Sequence, residues 1–139
     1  MTESLKEWYI NYKKHKDLFY GKIVEFQDLN GVILIKNNDG SIEKSIVMDT
    51  VTSFISLLGT MPATEKITIV ALNKHANISV LLGEWKKLTA YSSLTIMFAN
   101  PASLLDKKWM IKPAVHDGIM DSAALKEGIM SIASGVDFC

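Results

Sequence analysis

The clearest alternation of apolar and polar positions lies between residues 22 and 48. There KIVEFQDL is followed by Asn30-Gly31 and then by VILIK. This predicts a hairpin, because Asn-Gly accepts the positive φ angles of a type I′ turn. NNDG at 37–40 is a second turn. After it, SIEKSIVM places Ile42, Lys44, Ile46 and Met48 on one face against Glu43, Ser45 and Val47 on the other. VILIK is apolar on both faces, as suits a strand between two neighbours. The expected unit is a three-stranded antiparallel meander.

Elsewhere the period is helical or the apolar run is unbroken. Ser4 and Glu7 stand at capping-box spacing, and Leu5, Trp8, Tyr9 and Tyr12 follow at helical intervals, with Phe19 continuing the stripe to Gly21. So much aromatic surface either covers the meander or faces a partner. Asp49 is the expected cap of a helix carrying Val51, Phe54, Ile55 and Leu58, with Gly59 as its stop. The β-branched Thr50, Val51 and Thr52 leave a strand as the alternative. KITIVAL at 66–72 and LTIMFA at 94–99 are continuous apolar runs, typical of strands covered on both faces. Between them Ile78, Leu81, Leu82, Trp85 and Leu88 mark an amphipathic helix. Strand, helix, strand at this spacing predicts a crossover joining two parallel neighbours. KKWMIK at 107–112 reads as an edge strand ended by Pro113. A last helix is expected from an Asp121 cap, with Met120 stapled against Leu125. Its Leu125, Gly128, Ile129 and Ile132 should face inward, and Gly135 should end it. The fold expected is one α/β domain over residues 1–139, leaning towards α+β. Its order is α-βββ-α-β-α-β-β-α on a mixed sheet.

Composition narrows the functions. A hydrophobic fraction of 48% in 139 residues suits a well-filled core or a face for self-association. Fifteen lysines balance fifteen carboxylates, so no net field gathers nucleic acid or acidic membrane. No arginine is present, which removes the planar fork used for bidentate phosphate and guanine contacts. Nucleic-acid binding would need several of Lys13, Lys14, Lys16, Lys22, Lys86 and Lys87 on one face. The one cysteine, Cys139, excludes an intrachain disulfide and a cysteine metal site. The opening MTESLKEWYI is not a secretory signal, and no apolar run is long enough to span a bilayer. These features lead to the expectation of a soluble cytoplasmic protein with no membrane association and no cofactor, forming a homo-oligomer or binding a protein partner.

Three motifs bear on chemistry. His116-Asp117 is similar to the metal dyad of the HD phosphohydrolases, but those proteins are helical throughout and carry further His and Asp ligands. Here Asp117-Gly118 reads as a turn and Asp121 as a cap, which leaves His116 without a structural role. The order helix, three-strand meander, helix, strand resembles the core of the PD-(D/E)XK nucleases. That resemblance implies an Asp near the second strand and an acidic-x-Lys pair on the third, together holding Mg²⁺. The third strand instead offers Glu43-Lys44, whose adjacent side chains point to opposite faces, and Asp28 and Asp39 lie near turns. What it implies is a degenerate nuclease fold. Ser41-Ile-Glu-Lys44 has the Ser-x-x-Lys spacing of β-lactamase-type acyl enzymes, yet it sits on a strand and no Lys-Thr-Gly accompanies it.

One constellation of polar residues remains. The carboxyl end of 66–72 delivers Asn73, Lys74, His75 and Asn77 around a helix start, where free N–H groups suit an anion. Parallel strands would bring Asn100 and Ser103 to the same side, and His116 is a further candidate to converge there. The structural alternative makes Asn73 or Asn77 a helix cap, Lys74 a solvated charge and His75 a surface residue. The expected function is therefore a small intracellular binding domain without a catalytic motif, self-associating. The alternative is a protein or enzyme that binds a small anion or phosphometabolite.

Overall fold

Leu29 pairs with Val32 across the first hairpin, so its turn is two residues long, as the Asn-Gly pair predicts. Gly31 takes a φ of 90° there, and Asn30 lies outside the described residues. The computed structural model describes residues 4–29, 31–59, 61–118 and 122–139. Its elements are α1 (Leu5–Asp17), β1 (Ile23–Leu29), β2 (Val32–Asn37), β3 (Ile42–Val47), α2 (Phe54–Leu58), β4 (Ile67–Leu72), α3 (His75–Leu88), β5 (Leu94–Ala99), β6 (Lys108–Ile111), α4 (Pro113–His116) and α5 (Leu125–Ala133). A single 3-10 turn, Ser122–Ala124, precedes α5.

The six strands form one mixed sheet in the order β1-β2-β3-β4-β5-β6. The expected α/β architecture is borne out: β1, β2 and β3 are the antiparallel meander, and β4-α3-β5 is a crossover between parallel neighbours. β3 also runs parallel to β4, with α2 in the connection, and β6 closes the far edge antiparallel to β5.

Strand alternation divides the apolar residues between two cores. Ile67, Ile69 and Ala71 of β4, with Leu94, Ile96 and Phe98 of β5, pack with Phe54, Leu81, Trp85 and Ile129 from α2, α3 and α5. Phe98 stacks on Trp109 at 4.6 Å and meets the edge of Phe54 at 6.2 Å. Full burial of each such ring contributes about 1.5–3 kcal/mol. On the opposite face Val70, Met97, Ile33 and Ile35 lie under Leu5 and Tyr9 of α1. The Tyr9 hydroxyl shares a buried 2.7 Å hydrogen bond with Ser45 Oγ.

Several expectations are corrected. α1 stops at Asp17, so Phe19 leaves the stripe and is 96% exposed. Its aromatic surface divides accordingly: Tyr9 is buried, Trp8 and Tyr12 pack partly against the second core, and Tyr20 projects outward. α2 begins at Phe54 rather than after Asp49, because Ser53 caps it by accepting from Ser56 N. Val51 is buried ahead of that helix, and neither helix nor strand forms over residues 50–52. α4 is an unforeseen turn of helix that begins at Pro113. On α5, Ile129 is buried but Ile132 is largely exposed. The Asp121 cap and the Met120 staple lie outside the described residues.

Candidate functional site

The in-register pairing of Leu72 with Ala99 sets Asn73 and Asn100 side by side where β4 and β5 end. Lys74, His75 and Asn77 follow at the start of α3. Neither asparagine of this start caps the helix: the N-cap residue is Lys74, whose side chain makes no capping bond. Both amides are fully buried and serve loop backbone instead. Asn73 Nδ2 donates to the Ala133 and Val136 carbonyls at 3.1 and 3.0 Å, and its Oδ1 accepts from Trp109 Nε1 at 2.8 Å. Asn77 Oδ1 accepts from Val51 N, while its Nδ2 donates to the Asp49 and Leu72 carbonyls. A carboxamide both donates and accepts, so it satisfies irregular backbone that the core would otherwise strand without partners. Lys74 Nζ donates to Thr50 Oγ1 at 2.9 Å, and the His75 ring stacks on Phe138 at 4.1 Å.

Asn100 and Ser103 hold a second layer. Asn100 Nδ2 donates to the Asp137 carbonyl, and its Oδ1 accepts from Ala102 N. Ser103 Oγ donates to Asp137 Oδ2 and accepts from the backbone N–H groups of Leu105 and Asp137. Asp137 Oδ2 also accepts from Leu104 N at 2.7 Å. A parallel bridge joins Asp106 to Val136, and Cys139 N donates to the Asn73 carbonyl. Residues 136–139 thus lie across the carboxyl ends of the parallel strands. They fix a loop, residues 100–107, on which Leu104 is 96% and Leu105 58% exposed. Sequence reading misses this loop because it has no period. The available signal was an adjacent Leu pair between Ser103 and Asp106.

His116 stands apart. Since β6 runs antiparallel to β5, its carboxyl end lies at the opposite end of the sheet from Asn73 and Asn100. His116 does have a structural role, because its Nδ1 lies 3.0 Å from the backbone N and O of Lys112. Asp117 is more than a turn residue, since it accepts from Trp85 Nε1 at 2.8 Å.

An open crevice of about 560 Å³ remains at the carboxyl ends, bordered by Ser4, Leu5, Asp49, Leu72, Asn100 and Pro101. Asn100 is the one nominated residue on its wall. Burial pushes the Cys139 thiol up, away from the thiolate a nucleophile needs. On the α1 face, burial opposes ionisation of Glu43, yet Lys66 at 2.7 Å and Lys13 at 3.4 Å hold its carboxyl below the usual range. Two positions further on, where an acidic-x-Lys pair would require lysine, stands Ser45. Among the described residues no three His, Cys, Asp or Glu side chains are grouped as metal ligands. No helix among them is long and apolar enough to cross a membrane. Compared with known proteins, the chain matches no family model, no curated protein and no solved structure at a significant level.

Proposed function

We propose that this protein is a binding domain without catalysis of its own, and that it self-associates through the Leu104–Leu105 loop. The supporting observation is that Leu104 stands 96% exposed on a loop whose backbone is pinned by Asp137 and Ser103. An apolar side chain held rigidly in water loses little conformational freedom on binding, so most of its burial is retained as affinity. The balanced charge of the chain puts little repulsion between two copies. A contact built on two leucines is small, which makes a weak, concentration-dependent dimer the expected form. Sedimentation velocity of the full chain over a range of concentrations is the test. Leu104→Ser should return the protein to monomer without lowering its melting temperature. A wild-type chain that stays monomeric throughout excludes the assignment.

We propose as a second reading that a small anionic ligand binds at the start of α3, whose N-cap residue, Lys74, makes no side-chain capping bond to the first N–H groups. Chemical-shift changes at residues 73–77 and 100 on titration with inorganic phosphate or a sugar phosphate would mark it; their absence would remove it.

A further inference from the structure

The most exposed aromatic of the molecule lies at the other end of the sheet. Leu18, Phe19 and Tyr20 link α1 to β1 and are 70%, 96% and 70% exposed, with Val24 beside them at 68%. Their turn is built rather than loose. The Asp17 carbonyl accepts from Tyr20 N and Gly21 N, and its two carboxylate oxygens accept from Lys22 N and Ile23 N at 3.0 and 2.9 Å. Asn38 fastens the far side, its side chain donating to the Gly21 carbonyl and its backbone N–H to the Lys22 carbonyl. Gly21 takes a φ of 58°, which permits the tight reversal.

Lysines surround this tip on both flanks. Lys13, Lys16 and Lys22 border the concavity that holds Tyr20, and Lys14 borders the one that holds Leu18 and Val24. Residues 13–22, KKHKDLFYGK, carry four lysines against one aspartate, a surplus of three positive charges. Other carboxylates lie close by: Glu43 pairs with Lys13 and Lys66, Glu25 with Lys36, and Asp39 is within electrostatic reach of Lys22, so that six lysines face four carboxylates around the tip. Lys22 lies 5.7 Å from the Tyr20 ring centre, which keeps its ammonium group at the tip, while Lys14 and Lys16 lie 5.7 and 6.0 Å from the rings of Phe26 on β1 and Tyr12 on α1.

An apolar tip inside a ring of lysines is a poor match for a protein partner, because interface cores are depleted in lysine. It does match the boundary of an anionic bilayer. There Leu and Phe enter the acyl region, Tyr rests at the headgroups and lysine stems extend towards acidic lipid. We infer that the Leu18–Phe19–Tyr20 turn is a peripheral docking site for membranes rich in anionic phospholipid, with Lys14, Lys16 and Lys22 as its electrostatic collar. The expectation of no membrane association rested on balanced net charge and on the lack of a spanning run, and a local surface cluster answers to neither.

Co-sedimentation of the full chain with vesicles tests this. Binding is expected to vesicles of phosphatidylcholine mixed with phosphatidylserine and not to phosphatidylcholine alone, and it should weaken as salt rises. Phe19→Ser should lower the affinity about thirtyfold, the loss expected from one buried phenyl ring. The pair Lys16→Gln/Lys22→Gln should lower it about twenty-five-fold, roughly fivefold for each charge near the surface. The pair Lys86→Gln/Lys87→Gln on α3 should leave it unchanged, which separates this site from lysine elsewhere on the surface. No binding to either vesicle, or equal binding to both, overturns the inference. So does a single-stranded oligonucleotide that binds the lysines indifferently to Phe19→Ser while vesicles are ignored. A dimer dissolved by Phe19→Ser without vesicle binding would assign the tip to a second copy and overturn it equally.

Discussion

Tyr9 brings a phenol into the core beneath α1, where its hydroxyl meets Ser45 Oγ, with Thr68 also within hydrogen-bonding reach. Burial favours the neutral form and lifts its pKa from 10.0 to about 12. A pKa raised on folding means that the stabilisation is complete below pH 10, the unfolded value. It then falls as the pH climbs through the folded one. The loss expected between about pH 10 and 12 is on the order of 2–3 kcal/mol. Lysines titrate in the same window, so the measurement is a difference: urea denaturation of wild type against Tyr9→Phe across that range. The variant should be weaker by about 1 kcal/mol at neutral pH and should lose the phenol's share of the alkaline decline. Parallel curves would show that the phenol ionises as freely in the fold as outside it. Asn73 and Asn77 illustrate what the sequence conceals at this scale. Their position at a helix start suggests caps or ligand groups, but apart from the Leu72 carbonyl their partners lie at residues 49–51, 109 and 133–136, too remote for any local pattern to reveal.

Among the elements, α2 is not self-sufficient. Five residues cannot sustain a helix by propagation, and tertiary contacts must hold it. Glu84 of α3 supplies them, accepting from Phe54 N at 2.7 Å and from Ser53 Oγ at 2.6 Å, which places a carboxylate at the helix's positive end. Glu84→Ala is therefore expected to destabilise the fold by about 2 kcal/mol in chemical denaturation. A loss under about 0.5 kcal/mol would mean that α2 stands without it. The same bond explains why the start of α2 is misplaced from sequence, since the choice between Asp49 and Ser53 is made by a residue on another helix. The strands were legible because their signals are local: alternation in the meander, unbroken apolar runs in β4 and β5, and Asn-Gly at the first turn. The loop of residues 100–107 was not, because Asp137 and Ser103 define it through bonds across more than thirty positions.

For the molecule as a whole, zero net charge proved to be a poor guide to its surface. Lysine gathers around one end of the sheet, and a loop with two exposed leucines projects at the other. On the two proposals made above, the ends take different partners. β4 and β5 tie these ends together, since each strand supplies alternate residues to both cores. The strand order carries one more consequence. Every hydrogen-bonded neighbour in the sheet is also the neighbour in chain order, so no strand has to thread between two already joined. No connection is longer than residues 73–93, so each new ribbon adds a bounded step to the entropy of closure. Refolding on the order of milliseconds is expected, with amides of the meander protected in pulse labelling no later than those of β5 and β6. A chain emerging from the ribosome could then assemble this sheet by accretion, each segment docking on the rim left by its predecessor.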